Sequence, residues 1–340
     1  RAQEYGVSDI HILPEIKDFS VYFRLNGRME KQFALPHEEG NRLITYFKYL
    51  ANMDVGEKRK PQSGSLIYQV AEGETKDLRL STISNYHQQE SLVIRLLEMK
   101  DQVFLERSTL FQEELRLIKR LVLLKSGLIL FSGPVNSGKT TTMYQLVKDR
   151  MRKNKLQVIT IEDPVEIEEE QFLQIQVNEK AGNTYEASLK ASLRHHPDVI
   201  IVGEIRDEQT ARMAIRGALT GHLIIASIHA KNAEGVLSRM NELGISNDML
   251  RQTIVAIVFQ KLLPLYCELC DGTCSIYCTK FPVNQKRASL YDILTSDCIR
   301  VEKEIDHAAT QLIRQRNFNH LLEKVFAYGF VSEETYYQYI

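Results

Sequence analysis

The chain has 340 residues, of which 44% are hydrophobic and 26% are charged, so it is long enough for two domains with sizeable cores. Its formal net charge of −1 provides no global field that would draw it to nucleic acid or anionic lipid. No apolar run reaches the length of a membrane span, because Lys125 and Ser126 interrupt the stretch 121–131. The chain begins at Arg1 without a signal-peptide pattern, which predicts a trimmed cytoplasmic protein.

The first hundred residues alternate short apolar runs with turn signals. Strands are predicted at residues 8–13, 19–25, 28–33, 76–84 and 90–97, and a helix at 38–53. The dipeptide Asn26-Gly27 favours a hairpin between the second and third of these strands, because both turn positions need a positive φ. We therefore predict a small α+β domain over residues 1–99, followed by a charged, irregular linker at 100–112.

Arg79 and Arg95 each lie inside an apolar strand of this domain. One interpretation is ordinary surface charge on an antiparallel sheet. The alternative is that both arginines are presented to a triphosphate bound on another domain or subunit, as arginine fingers are. The residues alone leave both interpretations open.

A phosphate-binding motif follows the apolar run 127–132. Residues 133–140, GPVNSGKT, fit the pattern G-x-x-x-x-G-K-[ST] and lead into a segment typical of a helix at 141–150. Backbone N–H groups at a helix start attract an anion; Lys139 would reach the β- and γ-phosphates, and the Thr140 hydroxyl would face Mg²⁺. An ordinary tight turn before a helix is the alternative. The residues expected to hold the nucleotide here are Gly133, Pro134, Asn136, Ser137, Gly138, Lys139, Thr140 and Thr141.

The remainder of the chain alternates strands with helices. Strands are predicted at 155–161, 172–177, 198–203 and 223–228, and helices at 113–125, 184–194 and 207–219. This alternation predicts a parallel sheet with crossover helices, which is a RecA-like nucleotide-binding fold of the α/β class over residues 113–340. A cysteine-rich loop at 267–278 and a C-terminal helical region complete this domain.

Ligands of an open parallel sheet lie at the carboxyl ends of its strands, and this rule sorts the candidate catalytic residues. Glu162, Glu204 and His229 leave strands at that end, whereas Asp198 precedes its strand. His222 lies seven residues before His229, which is about 23 Å along a strand, so the two cannot both touch the γ-phosphate. His229 is the candidate phosphate sensor and His222 a candidate subunit contact; either could instead be a hydrogen-bonded residue without a ligand.

The acidic residues predict the chemistry of phosphoryl transfer, which needs charge neutralisation and an oriented water. Glu204 would orient or deprotonate that water, or hold Mg²⁺ through a water. Glu162, Asp163 and Glu166 would complete the outer shell of the metal. Any of these three could instead belong to a solvated acidic loop, and Glu166 in particular precedes an acidic run at 168–170.

The cysteines Cys267, Cys270, Cys274 and Cys278 are numerous enough for a tetrahedral zinc site. The spacing C-x-x-C followed by C-x-x-x-C, with a short connection between the pairs, departs from the tighter zinc patterns. A reduced cysteine-rich loop is the alternative. A bound zinc would be structural.

Several segments together resemble the secretion ATPases of type II secretion and type IV pili. They are GPVNSGKTTT, ITIEDPVE, LRHHPDVIIVGEIRDEQTA, RGALTGHLIIASIHAKNA and QKLLPLYC, with SDIHILP and LRLSTI…LVIRLLE in the N-terminal domain. By this resemblance residues 133–142 correspond to Walker A, 160–166 to the aspartate box, 198–204 to an atypical Walker B and 221–229 to the histidine box. The histidine box adds His222 to the nucleotide-site candidates. Arg79 and Arg95 fall on nucleotide-facing arginines of the N-terminal domain, for which a PAS-like fold is expected.

The resemblance implies a homo-hexameric motor on the cytoplasmic side of an inner-membrane platform protein, using ATP and Mg²⁺ to drive pilin or pseudopilin assembly. The short chain and compact cysteine loop are most similar to the competence-pilus assembly ATPases of Gram-positive bacteria. No counterpart of the AIRNLIRE-like helix of retraction motors is found. Asn136 replaces a glycine common in the family's phosphate loop, although asparagine tolerates the left-handed conformation.

Two other functions remain open at this stage. A nucleotide-switched scaffold would change conformation but barely hydrolyse ATP. A conjugation-type translocation ATPase would contact nucleic acid directly, and the balanced charge and lack of a basic, aromatic stripe argue against it. We expect no direct contact with nucleic acid.

Overall fold

The computed structural model describes residues 2, 7–25, 28–71, 74–97, 105–275, 278, 286–301 and 317–340. The chain divides into two compact units, the first formed by Arg1–Gln102 with Ser275–Val283 and the second by Val103–Cys274 with Asn284–Ile340. Within the described residues, no helix is both long and apolar enough to span a bilayer. The predicted linker at 100–112 falls partly outside the described residues, and a short helix occupies 105–108.

The N-terminal unit consists of one antiparallel sheet with a helix packed on one face. Its elements are β1 (Asp9–Pro14), β2 (Phe19–Leu25), β3 (Arg28–Leu35), α1 (His37–Leu50), β4 (Gln62–Ala71), β5 (Glu74–Ser84) and β6 (Glu90–Leu97). The strands lie in the order β3-β2-β1-β6-β5-β4. Alternate residues such as Leu80, Leu92 and Ile94 form the core with Ile44 of α1, so the opposite face of the sheet carries the polar positions of these strands.

Two details of this unit concern the sequence-based predictions. The pairing of β2 with β3 is antiparallel, as predicted, and Leu25 pairs with Arg28; the turn residues 26–27 lie outside the described residues. The strands predicted from sequence do not include residues 62–71, where β4 forms the edge of the sheet. This strand was missed because it lies at the edge of the sheet, where apolar residues can be exposed. Ile67, for example, is 72% exposed, so the apolar residues of β4 do not alternate with polar ones in step with burial.

The second unit alternates strands and helices as predicted. Its elements are α2 (Leu105–Ser108), α3 (Gln112–Leu121), β7 (Gly127–Ser132), α4 (Lys139–Met151), β8 (Val158–Glu162), β9 (Leu173–Gln176), α5 (Tyr185–Ser192), β10 (Val199–Val202), α6 (Glu208–Leu219), β11 (Leu223–Ile228), α7 (Ala233–Glu242), α8 (Asn247–Thr253), β12 (Ile254–Pro264), β13 (Tyr266–Cys267), β14 (Gly272–Thr273), β15 (Arg287–Thr295), α9 (Ser296–Val301), α10 (Phe318–Ala327) and α11 (Glu333–Tyr339).

The main sheet of this unit has the order β15-β12-β7-β11-β10-β8-β9, with β15 antiparallel to otherwise parallel strands. Consecutive residues of β7 enter opposite cores, Leu128 and Leu130 on one face and Ile129 and Phe131 on the other. Helices therefore cover both faces, which is why the central strands are continuous apolar runs. The predicted RecA-like fold is confirmed.

Two strands near the end of the chain were not predicted. β12 precedes the cysteine loop, and β15 follows it, where only a helical region was expected. β12 and β15 pair antiparallel along nine positions and extend the sheet. β12 follows α8 without an intervening turn, so its apolar run could not be separated from a buried helix by periodicity. The predicted helix at 113–125 ends earlier, at Leu121.

Candidate nucleotide site

The phosphate loop joins the end of β7 to the start of α4. Gly133 and Gly138 have φ values of 144° and 82°, and Asn136 has a φ of 62°. A Cβ atom at Gly133 would lie 2.1 Å from the carbonyl oxygen of Gln260, so this glycine permits close approach of the loop to β12. Asn136 adopts the left-handed conformation that asparagine tolerates, which explains how it can replace the glycine common in the family's phosphate loop.

The side chains of this loop form a polar cradle. Lys139 Nζ donates to the carbonyl oxygens of Gly133 and Pro134, at 2.9 and 3.0 Å. Burial lowers the pKa of Lys139, although the carboxylates of Glu204 and Glu166 act to raise it. The buried Ser137 Oγ has no hydrogen-bond partner among the described residues. A backbone cradle with an unsatisfied hydroxyl and a nearby ammonium fits a triphosphate.

The predicted catalytic loops leave the same edge of the sheet. Val202, the last residue of β10, pairs with Ile161 on one side and Ala226 on the other, and β11 ends level with β7. Glu162, Glu204 and His229 follow at the carboxyl ends of these strands, beside the phosphate loop. The structure thus brings these residues to one rim, as the strand-end rule predicted.

Glu204 lies at the centre of a charged network on this rim. Its Oε2 accepts a hydrogen bond from Arg206 Nε at 2.6 Å, and His229 Nε2 lies 3.3 Å from its Oε1. Arg206 also approaches Asp163, with 3.4 Å between Nη1 and Oδ2. The hydrogen bond to Glu204 raises the pKa of Arg206. Both oxygens of Glu204 are therefore oriented by basic groups.

Glu162 occupies a more enclosed position. Its carboxylate accepts hydrogen bonds from Tyr144 of α4 and, at 2.7 Å, from Thr160 Oγ1. Gln174 Nε2 donates to the Tyr144 oxygen at 2.9 Å. Burial raises the pKa of Glu162, and the donated hydrogen bonds oppose that rise. This carboxylate links α4 to the sheet beneath the rim.

Glu166 connects the acidic loop to the phosphate loop. Thr140 Oγ1 donates to Glu166 Oε2 at 3.1 Å, so the hydroxyl expected to face Mg²⁺ already lies against a carboxylate. Thr141 follows in the first turn of α4. Hydroxyl and carboxylate oxygens are the donors that Mg²⁺ prefers.

His222 and Asp198 lie at the opposite edge of the sheet from the phosphate loop. The carbonyl oxygen of His222 accepts a hydrogen bond from the N–H of Gly127 at 3.1 Å, which places His222 at the amino end of β11, away from the phosphate loop. His222 therefore does not join the rim, although the histidine box had added it to the nucleotide-site candidates. Asp198 Oδ2 accepts the N–H of Gln157 at 2.8 Å, at the amino end as predicted.

Arg79 and Arg95 belong to the N-terminal unit, where they pair across β5 and β6. Arg95 Nε donates to Asp9 Oδ1 at 2.8 Å. Both arginines lie on the face of the sheet opposite its apolar core.

The four thiols of the cysteine loop converge. The Sγ atoms of Cys267, Cys270, Cys274 and Cys278 all lie within 4.8 Å of one another. Four sulfur ligands at about 2.3 Å from a tetrahedral zinc are spaced by similar distances, so this donor set fits the metal.

Sequence reasoning missed three residues of this site: Tyr144, Arg206 and Gln260. Gln260 Nε2 donates to the carbonyl oxygen of Ser137 at 2.7 Å and supports the phosphate loop from β12. Arg206 lies within the segment GEIRDEQTA quoted for the resemblance, so its position two residues after Glu204 was a usable signal. Tyr144 and Gln260 gave no signal, because each acts across strands that are distant in sequence.

A glycine-bounded phosphate loop after β7, with acidic residues at the ends of β8 and β10 on the same edge of the sheet, defines a P-loop nucleotide-binding protein. A profile of the family described as Type II/IV secretion system protein matches residues 1–325. The chain belongs to this family, and its enzymatic activity is ATP hydrolysis.

Individual relatives agree with this assignment. The chain is 40% identical over 338 residues to Competence protein ComGA of Bacillus subtilis strain 168, covering 98% of this chain and 93% of that protein. It is 35% identical over 271 residues to Type II secretion system protein E of Dickeya dadantii, covering 79% of this chain and 54% of that protein. The resemblance to secretion ATPases, and among them to competence proteins, is confirmed.

Solved structures support the fold. The ATPase DotB of Legionella pneumophila superposes with a TM-score of 0.76 at 19% identity, covering 99% of this chain and 92% of that one. The pilus retraction motor PilT with bound ADP superposes with a TM-score of 0.71 at 24% identity, covering 100% and 94%. At these identities the likeness establishes the fold alone.

Proposed function

We propose that this chain is the motor of a competence-pilus or related pseudopilus assembly machine, and that it works as a homo-hexamer on the cytoplasmic side of an inner-membrane platform protein. The observation that carries this proposal is the rim on which Glu204 and His229 lie beside Lys139. The family and the competence relatives support the machine, and the balanced charge of −1 favours protein partners over nucleic acid. Pilins or pseudopilins would be moved indirectly, through the platform protein.

The phosphate loop binds ATP in this proposal. Lys139 exchanges the carbonyl oxygens of Gly133 and Pro134 for phosphate oxygens, and Ser137 gains the hydrogen bond that its buried hydroxyl lacks among the described residues. Thr140 and Glu204 would hold Mg²⁺, which neutralises charge on the phosphates when bound. Glu166, which contacts Thr140, would supply an outer-shell ligand to this metal.

Glu204 orients the attacking water and accepts its proton. Arg206 and His229 hold the two oxygens of this carboxylate, so its direction is set before ATP arrives. Glu162, at the end of β8, braces α4 through Tyr144, and Asp163 in the following loop holds Arg206. His229 senses the γ-phosphate through its contact with Glu204.

Arg79 and Arg95 neutralise charge on the phosphates from the N-terminal domain, and His222 serves a subunit contact.

The test of this mechanism is Glu204→Gln, which keeps the shape of the side chain and removes the base. We expect ATP turnover to fall at least a hundredfold, while nucleotide affinity stays within a few-fold of the wild type. Glu208→Gln, an exposed residue in the first turn of α6, is the matched control and should leave turnover unchanged. A Glu204→Gln protein that still assembles pili in cells would instead identify a nucleotide-switched scaffold.

The cysteine loop binds one structural zinc ion in our proposal. The support is the convergence of four Sγ atoms within 4.8 Å. Metal analysis of the purified full chain should find one zinc per chain, and Cys270→Ser should lower that content sharply. A metal-free wild-type chain that retains full turnover would contradict the zinc site without affecting the ATPase assignment.

A further inference from the structure

Four charged side chains form a single row across the N-terminal sheet. Asp9 of β1 pairs with Arg24 of β2 on one side and with Arg95 of β6 on the other. Arg95 in turn pairs with Arg79 of β5. Because directly paired residues of neighbouring strands point to the same face, all four side chains share the face opposite the apolar core.

Asp9 is the buried member of this row. It is only 2% exposed, although it lies on the polar face of the sheet. Its Oδ1 accepts a hydrogen bond from Arg95 Nε at 2.8 Å, and its Oδ2 accepts one from Ser8 Oγ at 2.9 Å. The Arg95 side chain is 48% exposed, so the ion pair has a buried acidic end and an open basic end.

The row contains three arginines and one carboxylate: Arg24 and Arg95 flank Asp9, and Arg79 lies beyond Arg95. Neighbouring strands are about 4.8 Å apart, so Asp9 is the carboxylate of this row that lies next to Arg95. His11 adds little to this charge, because burial and the neighbouring Arg24 lower the pKa of its imidazole. Arg24 Nε lies 3.3 Å from His11 Nε2.

We propose that Asp9 is the positioning residue of Arg95. Engaging the guanidinium through Nε leaves its two Nη groups as paired donors, which is the geometry that suits a phosphate. The buried carboxylate holds the long Arg95 side chain in one orientation, so less rotamer entropy is lost when the guanidinium meets a phosphate. This inference rests on the proposed function, in which Arg79 and Arg95 neutralise the phosphates of ATP.

The test is a double-mutant cycle on ATP turnover by the full chain. Asp9→Asn should lower kcat roughly tenfold with little change in KM, because a misdirected charge affects the transition state more than ground-state binding. Arg95→Ala should lower kcat at least as much. In the Arg95→Ala background, Asp9→Asn should have no further effect, since the group that it positions is absent.

The outcomes separate this inference from the proposed function. If Asp9→Asn lowers kcat by the same factor with and without Arg95, its role is purely structural and the inference is wrong. If Arg95→Ala lowers kcat while Asp9→Asn does not, only the role of Asp9 is refuted. If Arg95→Ala retains wild-type kcat, the arginine assignment within the proposed function is refuted together with the inference.

Two further variants guard against misfolding. Ser8→Ala removes the hydroxyl that donates to Asp9 Oδ2 while keeping the carboxylate, and it should lower kcat by a smaller factor that also vanishes in the Arg95→Ala background. Asp18→Asn makes the same charge change between β1 and β2 and should leave kcat unchanged. Equal losses in Asp18→Asn and Asp9→Asn would contradict the positioning role.

Discussion

At the scale of single residues, the orientation of Glu204 is the feature on which chemistry depends. Arg206 binds one oxygen at 2.6 Å and His229 lies 3.3 Å from the other, so the carboxylate has little freedom to rotate. Arg206 is itself held by Asp163. A base that is fixed before substrate binds loses less entropy on the way to the transition state.

Replacing Arg206 with lysine tests this orientation. Lysine keeps the positive charge but lacks the planar fork that spans Glu204 and Asp163. We expect kcat to fall about tenfold, equivalent to about 1.4 kcal/mol of transition-state stabilisation, with nucleotide affinity little changed. Arg212→Lys, which alters an exposed i,i+4 pair with Glu208, is the control. Equal kcat values for the two variants would show that Arg206 does not orient Glu204.

At the scale of elements, α4 carries the phosphate loop and is joined to the sheet by polar side chains. Tyr144 of α4 donates to the buried Glu162 at the end of β8, and Gln174 of β9 donates to Tyr144. The ring of Tyr144 also packs edge-on against Phe172, with 5.1 Å between centroids. These contacts fix the angle at which α4 leaves the sheet.

Removing the Tyr144 hydroxyl tests how much these contacts between α4 and the sheet contribute to the free energy of unfolding. Tyr144→Phe removes one of the hydrogen bonds to the buried Glu162 carboxylate, which keeps Thr160 as a donor. It also removes the acceptor of one bond from Gln174, which still donates to the carbonyl oxygen of Ile167. We expect the loss of these two bonds to lower the free energy of unfolding by roughly 1–3 kcal/mol. Tyr337→Phe, at a side chain that is 66% exposed, should change it by less than about 0.5 kcal/mol. Chemical denaturation measures both, and similar losses in the two variants would refute the junction.

The contact between β15 and α10 contains another buried acid. Asp292 of β15 is 2% exposed, and burial raises its pKa from the ordinary 3.8 to about 7, although the N–H of Phe318 opposes the rise. Because the folded pKa exceeds the unfolded one, the neutral carboxyl favours the folded state. That contribution is complete below about pH 4 and is lost as the pH rises through 7.

Asp292→Asn should therefore reduce the pH dependence of stability. Between pH 5 and pH 8 we expect the wild type to lose stability relative to the variant, by an amount on the order of 2–4 kcal/mol. Thermal unfolding at both pH values measures this difference. Asp297→Asn, at an exposed position on α9, should follow the wild type. Parallel pH profiles for wild type and Asp292→Asn would contradict the assigned burial effect.

At the scale of the whole molecule, the sequence predicted most of the architecture of the second unit. The alternation of apolar runs with amphipathic segments predicted a parallel sheet, and the strand-end rule then placed Glu162, Glu204 and His229 at one rim. Both inferences rest on patterns within a few consecutive residues. Such patterns can be read from the sequence because buried parallel strands are apolar along their whole length.

The remainder depended on long-range contacts that leave no local pattern. The support of Ser137 by Gln260 joins residues 123 positions apart, and the enclosure of Glu162 by Tyr144 depends on how α4 crosses the sheet. The strand β4 escaped prediction because an edge strand exposes apolar residues such as Ile67. The zinc, the subunit contact of His222 and the roles of Arg79 and Arg95 stay predictions.

In the proposed function, ATP turnover belongs to an assembled motor whose arginines act on bound nucleotide. The most direct measurement is ATP turnover per chain as a function of protein concentration, with oligomer size determined on the same samples by sedimentation. We expect turnover to rise steeply as hexamers form, and Lys139→Ala to abolish it at every concentration. A single chain that hydrolyses ATP as fast as the hexamer would refute the motor.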